Sequence, residues 1–122
     1  MKKILIVEDD KDIARALSLR LKAAQYEVVM AHDCVSGTAL GIKEEPDLII
    51  LDVSMPGGDG FTLASSLQAH ATTTPAPVVF VTASKSPDIR NRAFEAGAVG
   101  FFEKPFNAHE ILDCIESTLD PT

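Results

Sequence analysis

Short apolar runs alternate with amphipathic segments along the whole chain. Three of the runs, the first, third and fourth, are nearly unbroken and rich in β-branched residues. This pattern is typical of strands buried on both faces of a parallel sheet. The second and fifth runs are less apolar and suit the edges of a sheet. The predicted strands are Ile4–Val7, Glu27–Ala31, Leu48–Leu51, Val78–Val81 and Val99–Phe102.

The segments between the predicted strands carry apolar residues at helical spacing. Pro46 ends the second predicted helix, Gly97 follows the fourth, and Asn107 is the predicted N-cap of the fifth. The chain is therefore a row of five β–α units. Such alternation predicts an α/β fold in which helices cover both faces of a parallel sheet, with right-handed connections.

Length and charge limit what the chain can do. Its 122 residues suit one domain, which we place at residues 1–122, and 46% of them are hydrophobic, so a sizeable core is expected. The 18 acidic side chains outnumber the 11 basic ones, which gives a formal net charge of −7. This charge repels nucleic-acid phosphates, so we expect no direct nucleic-acid binding by this segment.

Membrane and disulfide signals are weak. The apolar run that begins at Ile4 stops at Glu8, which is too early for a signal peptide, and no run approaches transmembrane length. Cys34 and Cys114 match no metal-binding spacing, and we interpret them as partly buried free thiols. These features favour a cytoplasmic protein without membrane contact.

The residues that carry chemistry stand at the ends of the predicted strands. Glu8 and Asp9 follow the first strand, Asp52 ends the third, Thr82 follows the fourth and Lys104 follows the fifth. Ligands of open α/β sheets bind at the carboxyl ends of the strands. Each residue alone would be an ordinary loop or cap residue, but together they are expected to converge on one site.

Three carboxylates in one crevice repel each other, and a divalent cation relieves that repulsion. Mg²⁺ suits the role because it prefers oxygen ligands and shares its shell with phosphate oxygens. Lys104 supplies a positive charge for a phosphate oxygen, and the Thr82 hydroxyl can donate to another. Asp52 is then the natural nucleophile, since carboxylates form acyl phosphates. The strand ends therefore predict Mg²⁺-dependent phosphoryl transfer to Asp52.

These residues lie in motifs that resemble the receiver domains of two-component response regulators. The matching stretches span nearly the whole chain and are Ile4–Asp10, Leu51–Gly60, Val81–Ala83 and Lys104–Phe106. The resemblance implies a flavodoxin-like, doubly wound (βα)5 fold whose five-stranded parallel sheet has the strand order 2-1-3-4-5. It also implies a cis peptide bond between Lys104 and Pro105.

The resemblance assigns site roles position by position. It makes Asp52 the phosphoacceptor and Asp9 a direct metal ligand, with Glu8 in or next to the metal's coordination shell. The backbone carbonyl of Ser54 completes the protein's metal ligands, and Lys104 contacts the phosphoryl group. The implied phosphoryl donor is a sensor histidine kinase or a phosphotransfer protein.

The resemblance also implies a switch. Thr82 carries the hydroxyl that responds to phosphorylation, and Phe101 stands where the family places a rotating aromatic ring. The face made by the fourth helix, the fifth strand and the fifth helix is then the surface for a homodimer or an output domain. Asp10, the third acid in its row, is expected to start the first helix without binding metal.

The chain departs from the family pattern at two places. Gly58 occupies a position that is usually apolar, so the resemblance does not imply a stiff loop beside Asp52. The stretch Gly97–Phe102 lacks the acidic pair found in relatives with winged-helix output domains, which weakens the inference of that subgroup's dimer.

Two other functions fit parts of the pattern. A small phosphohydrolase would also use an aspartate nucleophile, but such enzymes carry a second acid two residues later, where this chain has Ser54. A degenerate receiver that only binds partners is the other alternative, and the intact Asp9, Asp52, Thr82 and Lys104 argue against it. We expect the chain to catalyse only its own phosphorylation and dephosphorylation, and to be no enzyme for an external substrate.

Overall fold

The computed structural model of the protein describes residues 1–71 and 74–120. The strands of the main sheet are β1 (Lys3–Val7), β2 (Glu27–Ala31), β3 (Leu48–Asp52), β4 (Val78–Thr82) and β5 (Gly100–Glu103). The helices are α1 (Lys11–Ala23), α2 (Cys34–Glu44), α3 (Gly60–His70), α4 (Pro87–Glu95) and α5 (Ala108–Leu119). A short antiparallel hairpin, Ser54–Met55 with Gly58–Asp59, follows β3.

The main sheet has the order β2-β1-β3-β4-β5, and every neighbouring pair is parallel. This confirms the predicted fold class and strand order. All residues of β3 and β4 are buried, as expected for central strands, whereas β2 and β5 form the edges. The strand boundaries differ from the predicted ones by no more than one residue at either end.

The sheet separates two apolar cores. Leu5, Ile49 and Phe80 belong to the core beneath α2, α3 and α4. Ile4 and Ile50 belong to the opposite core, which α1 and α5 cover. Because side chains of a strand alternate between the faces of a sheet, neighbouring residues of each central strand enter different cores. Burial on both faces explains why these strands read as continuous apolar runs.

Side chains cap the start of every helix. Asn107 begins α5, as predicted, and Asp10 begins α1 by accepting backbone N–H bonds from Asp12 and Ile13. Gly97 follows α4 with a φ of +86°, which is the left-handed conformation expected after a helix. The remaining caps are Asp33, Asp59 and Ser86.

The helices differ in how deeply they are embedded. α1 buries four residues, Ala14, Leu17, Ser18 and Leu21, whereas Ala93 is the only buried residue of α4. The α4 helix therefore buries only a small part of its surface against the sheet.

Cys34 is buried and Cys114 half-buried, and both are free thiols, as the sequence predicted. Within the described ranges, every helix is too short or too polar to cross a membrane.

Candidate functional site

The predicted site residues lie together at the carboxyl edge of the sheet. Glu8 and Asp9 follow β1, Asp52 and Thr82 are the last residues of β3 and β4, and Lys104 follows β5. Since all five strands are parallel, these ends reach the same edge. The geometry at this edge depends chiefly on contacts among Glu8, Asp52 and Lys104.

Asp52 is buried, and both of its carboxylate oxygens are held. Lys104 Nζ donates to Oδ2 at 2.9 Å, and the backbone N–H of Ser54 donates to Oδ1 at 3.0 Å. The lysine is itself mostly buried, with a side-chain exposure of 16%. These two contacts fix the orientation of the carboxylate at the end of β3.

Glu8 lies buried beside this pair. Its Oε2 accepts a hydrogen bond from the backbone N–H of Asp10 at 3.1 Å, and its Oε1 lies 2.6 Å from Lys104 Nζ. That close contact is a buried ion pair. Glu8 is therefore held between the backbone of Asp10 and the ammonium group of Lys104.

Glu8, Asp9 and Asp52 form a group of acids that could hold a cation. One carboxylate oxygen from each residue lies within 4.8 Å of the others. Asp9 is exposed at the surface, while the other two acids are buried. Oxygen donors from two or three carboxylates fit a hard divalent ion such as Mg²⁺.

The pKa values reflect the crowding of these groups. Burial raises the pKa of Glu8 to about 7, Lys104 opposes that rise, and the neighbouring Asp52 carboxylate adds to it. Burial acts against ionisation of Asp9 too, but hydrogen bonds with Glu8 and Asp52 outweigh it and hold the pKa of Asp9 below its ordinary value. Burial would lower the pKa of Lys104, yet its contacts with Asp52 and Glu8 prevail and raise the pKa. The lysine therefore stays charged beside the acids.

Thr82 connects the site to the loop that precedes α4. Its side chain is buried, and its Oγ1 accepts a hydrogen bond from the backbone N–H of Ser84 at 3.0 Å. Its backbone carbonyl accepts from the N–H of Lys104 at 2.7 Å. The peptide bond between Lys104 and Pro105 is cis, as the resemblance implied.

Phe101 is buried within β5 rather than turned out to solvent. It is paired with Phe80 in the register of the sheet, and its ring centroid lies 6.3 Å from that of Phe94 on α4. The guanidinium of Arg90 lies 5.5 Å from the Phe94 centroid and 5.8 Å from the Phe101 centroid. The aromatic ring is therefore in an inward position that a cation from α4 covers.

Two residues next to the site were not predicted from the sequence. The ring Nδ1 of His32, which follows β2, is 2.9 Å from the carbonyl oxygen of Glu8. A Cβ added to Gly60 would lie 2.5 Å from the carbonyl oxygen of Asp52. No spacing pattern reveals the histidine, because its contact joins the ends of two strands. The glycine carried a signal, since a glycine in the first turn of a helix often marks a close approach of backbone.

The fold and the site together define a phosphoacceptor domain of the receiver class. The family model described as the response regulator receiver domain matches residues 4–116. The chain therefore belongs to the receiver-domain family of two-component response regulators, and phosphorylation on an aspartate is the general function of this domain.

Curated relatives are longer regulators. The DNA-binding dual master transcriptional regulator RpaA of Synechocystis is 36% identical over 122 residues, which are all of this chain and 51% of RpaA. The response regulator PleD of Caulobacter vibrioides is 40% identical over 105 residues, which are 86% of this chain and 23% of PleD. The chain thus spans about half or less of the length of these relatives.

Solved receiver structures share the fold over their full length. The non-phosphorylated HemR receiver domain of Leptospira biflexa has a TM-score of 0.89 and 34% identity, with 100% of this chain and 97% of that chain covered. The chemotaxis protein CheY4 of Vibrio cholerae has a TM-score of 0.85 and 32% identity, with 98% of this chain and 99% of that chain covered.

Proposed function

We propose that Asp52 accepts the phosphoryl group, and that its donor is the phosphohistidine of a sensor histidine kinase or a phosphotransfer protein. The observation that carries this proposal is the contact of 2.9 Å between Lys104 Nζ and Asp52 Oδ2 within a group of three acids. A carboxylate beside a buried ammonium and at the exit of a strand can attack a phosphorus atom that the ammonium helps to position.

The residues of the chain perform the transfer by positioning and by charge. A carboxylate oxygen of Asp52 forms the new phosphorus–oxygen bond, while the phosphorus–nitrogen bond of the donor histidine breaks and the leaving imidazole keeps the electron pair. Lys104 then neutralises a phosphoryl oxygen. Attack by water on phosphorus later releases inorganic phosphate and restores the Asp52 carboxylate.

We propose that Mg²⁺ is held by Glu8, Asp9, Asp52 and the backbone carbonyl of Ser54. The spacing of the three carboxylates supports this set, because one oxygen from each of Glu8, Asp9 and Asp52 lies within 4.8 Å of the others. When bound, Mg²⁺ would supply positive charge that offsets the repulsion between the carboxylates and the incoming phosphoryl oxygens. Asp10 is left out of the set because its side chain caps α1.

The output of the site is a change at the α4–β5–α5 face. We propose that Thr82 donates its hydroxyl to the phosphoryl group, and that Phe101 responds as the loop after Thr82 moves. The same face would receive a second copy of the chain or an output domain. Residues 1–122 then act as one receiver domain in the cytoplasm, without nucleic-acid or membrane binding of their own.

The chain is proposed to turn over no external substrate. Ser54 is exposed and stands where an aspartate-based phosphohydrolase carries its second acid, so no carboxylate is available there to protonate a leaving alcohol. A degenerate receiver is disfavoured because Asp52, Lys104 and Glu8 keep their close contacts.

The proposal is tested with acetyl phosphate and Mg²⁺, followed by intact-mass measurement. The wild-type chain should gain one phosphate, and Asp52→Asn should gain none. Asp113→Asn, on an exposed carboxylate of α5, is the matched control and should be labelled like wild type. Equal labelling of Asp52→Asn would contradict the assignment. Repeated turnover of para-nitrophenyl phosphate would instead support the phosphohydrolase.

A further inference from the structure

We propose that His32 is a positioning residue for the metal-binding acids, acting through the backbone carbonyl of Glu8. The inference rests on the proposed function, because it assumes that Glu8 and Asp9 hold Mg²⁺. It adds a residue that follows β2, a strand that contributes none of the charged side chains of the site.

Two contacts tie the Glu8 backbone to the end of β2. The N–H of Glu8 donates to the carbonyl of Ala31 at 3.0 Å, and the carbonyl of Glu8 lies 2.9 Å from His32 Nδ1. A carbonyl oxygen can only accept, so Nδ1 must carry the hydrogen, and the lone pair of a neutral ring is on Nε2. The histidine thereby extends the parallel pairing of β1 and β2 by one side-chain hydrogen bond.

The carbonyl that His32 holds belongs to the peptide group that joins Glu8 to Asp9. Fixing the plane of that peptide group fixes the positions of the Asp9 nitrogen and Cα, and so narrows the directions in which the Asp9 side chain can leave the backbone. The Glu8 carboxylate has its own supports in Lys104 and the Asp10 N–H. The Asp9 side chain is exposed, so its position depends on its backbone as well as on its contacts with Glu8 and Asp52. His32 is therefore placed to preorganise Asp9, the more exposed of the two acids.

His32 acts through this peptide group and does not bind the cation itself. The group of side chains close enough to share an ion contains Glu8, Asp9 and Asp52, and His32 is outside it. The ring is half-buried, so its replacement leaves no large cavity. These facts separate a positioning role from both a ligand role and a core-packing role.

Three substitutions test the role, with Mg²⁺ affinity measured by calorimetry. His32→Ala removes the donor and should weaken Mg²⁺ binding by about tenfold, the lower end for residues that support metal ligands. His32→Asn places an amide N–H close to the former Nδ1 position and should restore most of the affinity. His32→Gln places its amide near the Nε2 position and should resemble His32→Ala. Equal affinities of the Asn and Gln variants would overturn the proposal.

A second readout needs no metal. Two-bond proton–nitrogen NMR spectra of the metal-free protein should show neutral His32 with its hydrogen on Nδ1, and the amide signal of Asp9 should shift in His32→Ala but return in His32→Asn. A neutral ring with its hydrogen on Nε2 would refute the contact. Unfolding free energies of all variants should agree within about 1 kcal/mol, as for removal of one hydrogen bond.

Failure of this inference can be distinguished from failure of the proposed metal site. Asp9→Ala should abolish Mg²⁺ binding if the site is correct. Normal binding by Asp9→Ala would remove the site and the inference together. Loss of binding in Asp9→Ala with wild-type binding in His32→Ala would remove the inference alone.

Discussion

The hydroxyl of Thr82 accepts a hydrogen bond from the backbone N–H of Ser84, 3.0 Å away. A threonine hydroxyl has one hydrogen to donate and can accept at the same time. In the proposed switch Thr82 donates to a phosphoryl oxygen, and a movement of its hydroxyl would alter the bond to Ser84. This hydrogen bond links the Thr82 hydroxyl to the loop that leads to α4.

Replacing Thr82 should separate phosphorylation from its structural effect. Thr82→Ala keeps Asp52 and Lys104 and should still accept phosphate, but it should lose most of the amide shift changes across Ile89–Phe101 that beryllofluoride, a phosphate mimic, induces. Thr82→Ser keeps the hydroxyl and is the control, with shifts close to wild type. A full wild-type shift pattern in Thr82→Ala would show that another group carries the signal.

Asp9 and Asp10 are adjacent acids with different proposed roles, so they form a matched pair. Asp9→Ala should remove Mg²⁺ binding in calorimetry. Asp10→Ala removes the side-chain cap of α1 and should cost about 0.5–2 kcal/mol of unfolding free energy while Mg²⁺ binding persists. The assignment fails if the two variants bind Mg²⁺ equally well.

Lys104 should matter for both stability and chemistry. Lys104→Ala leaves Glu8 and Asp52 buried without their cation and should lower the unfolding free energy by about 1–3 kcal/mol. Phosphorylation by acetyl phosphate should slow by about 10²-fold, because a preorganised charge at the phosphoryl group is lost. Lys43→Ala, on the exposed side of α2, should change neither quantity, and a similar loss in that control would point to a general charge effect.

Phe101 and Phe94 allow burial to be compared within one aromatic pair. Phe101 is 9% exposed and Phe94 is 48% exposed. Phe101→Ala should therefore cost about 3–5 kcal/mol in urea unfolding, and Phe94→Ala about 1 kcal/mol or less. Comparable costs would mean that the Phe101 ring spends most of its time outside the core.

Substitutions of Gly60 and Gly97 distinguish the effect of steric crowding at the site from the effect of backbone strain at a distant turn. A methyl group on Gly60 would meet the Asp52 carbonyl oxygen, so Gly60→Ala should displace the end of β3 and reduce both stability and phosphorylation rate. Gly97 has a φ of +86° and open space around it, so Gly97→Ala should cost about 1–2 kcal/mol and leave phosphorylation unchanged. A normal phosphorylation rate in Gly60→Ala would show that β3 tolerates the methyl group.

The fold could be predicted from the sequence because the apolar patterns of the strands and the residues at the helix ends indicate the same arrangement. β3 and β4 are buried on both faces, so their apolar runs are continuous, and Asn107 and Gly97 mark helix ends by their own chemistry. The hairpin formed by Ser54–Met55 and Gly58–Asp59 escaped prediction. Its strands have two residues each, which is too short for any alternation to appear.

Only part of the site could be predicted from the sequence. Parallel strand ends meet at one edge, so the order of Glu8, Asp52 and Lys104 along the chain sufficed to bring them together. Their burial, and the raised pKa of Glu8 that follows from it, depend on how three separate strand ends pack. The contact of His32 with the Glu8 carbonyl also depends on how two strand ends pack. It could not be predicted from the sequence, because every residue has a backbone carbonyl and the contact requires no particular residue type at position 8.

The small buried contact between α4 and the sheet determines the free energy needed to displace this helix. Ala93 is its only buried residue, so its backbone amides should exchange with solvent through local opening, at a much lower free energy than those of α1 with four buried residues. A phosphoryl group can shift an equilibrium only by the difference in its interaction with the two states. That difference can exceed the free energy needed to displace a helix that opens easily, but not the larger free energy needed to displace a helix anchored like α1. We therefore expect phosphorylation to displace α4 more readily than α1.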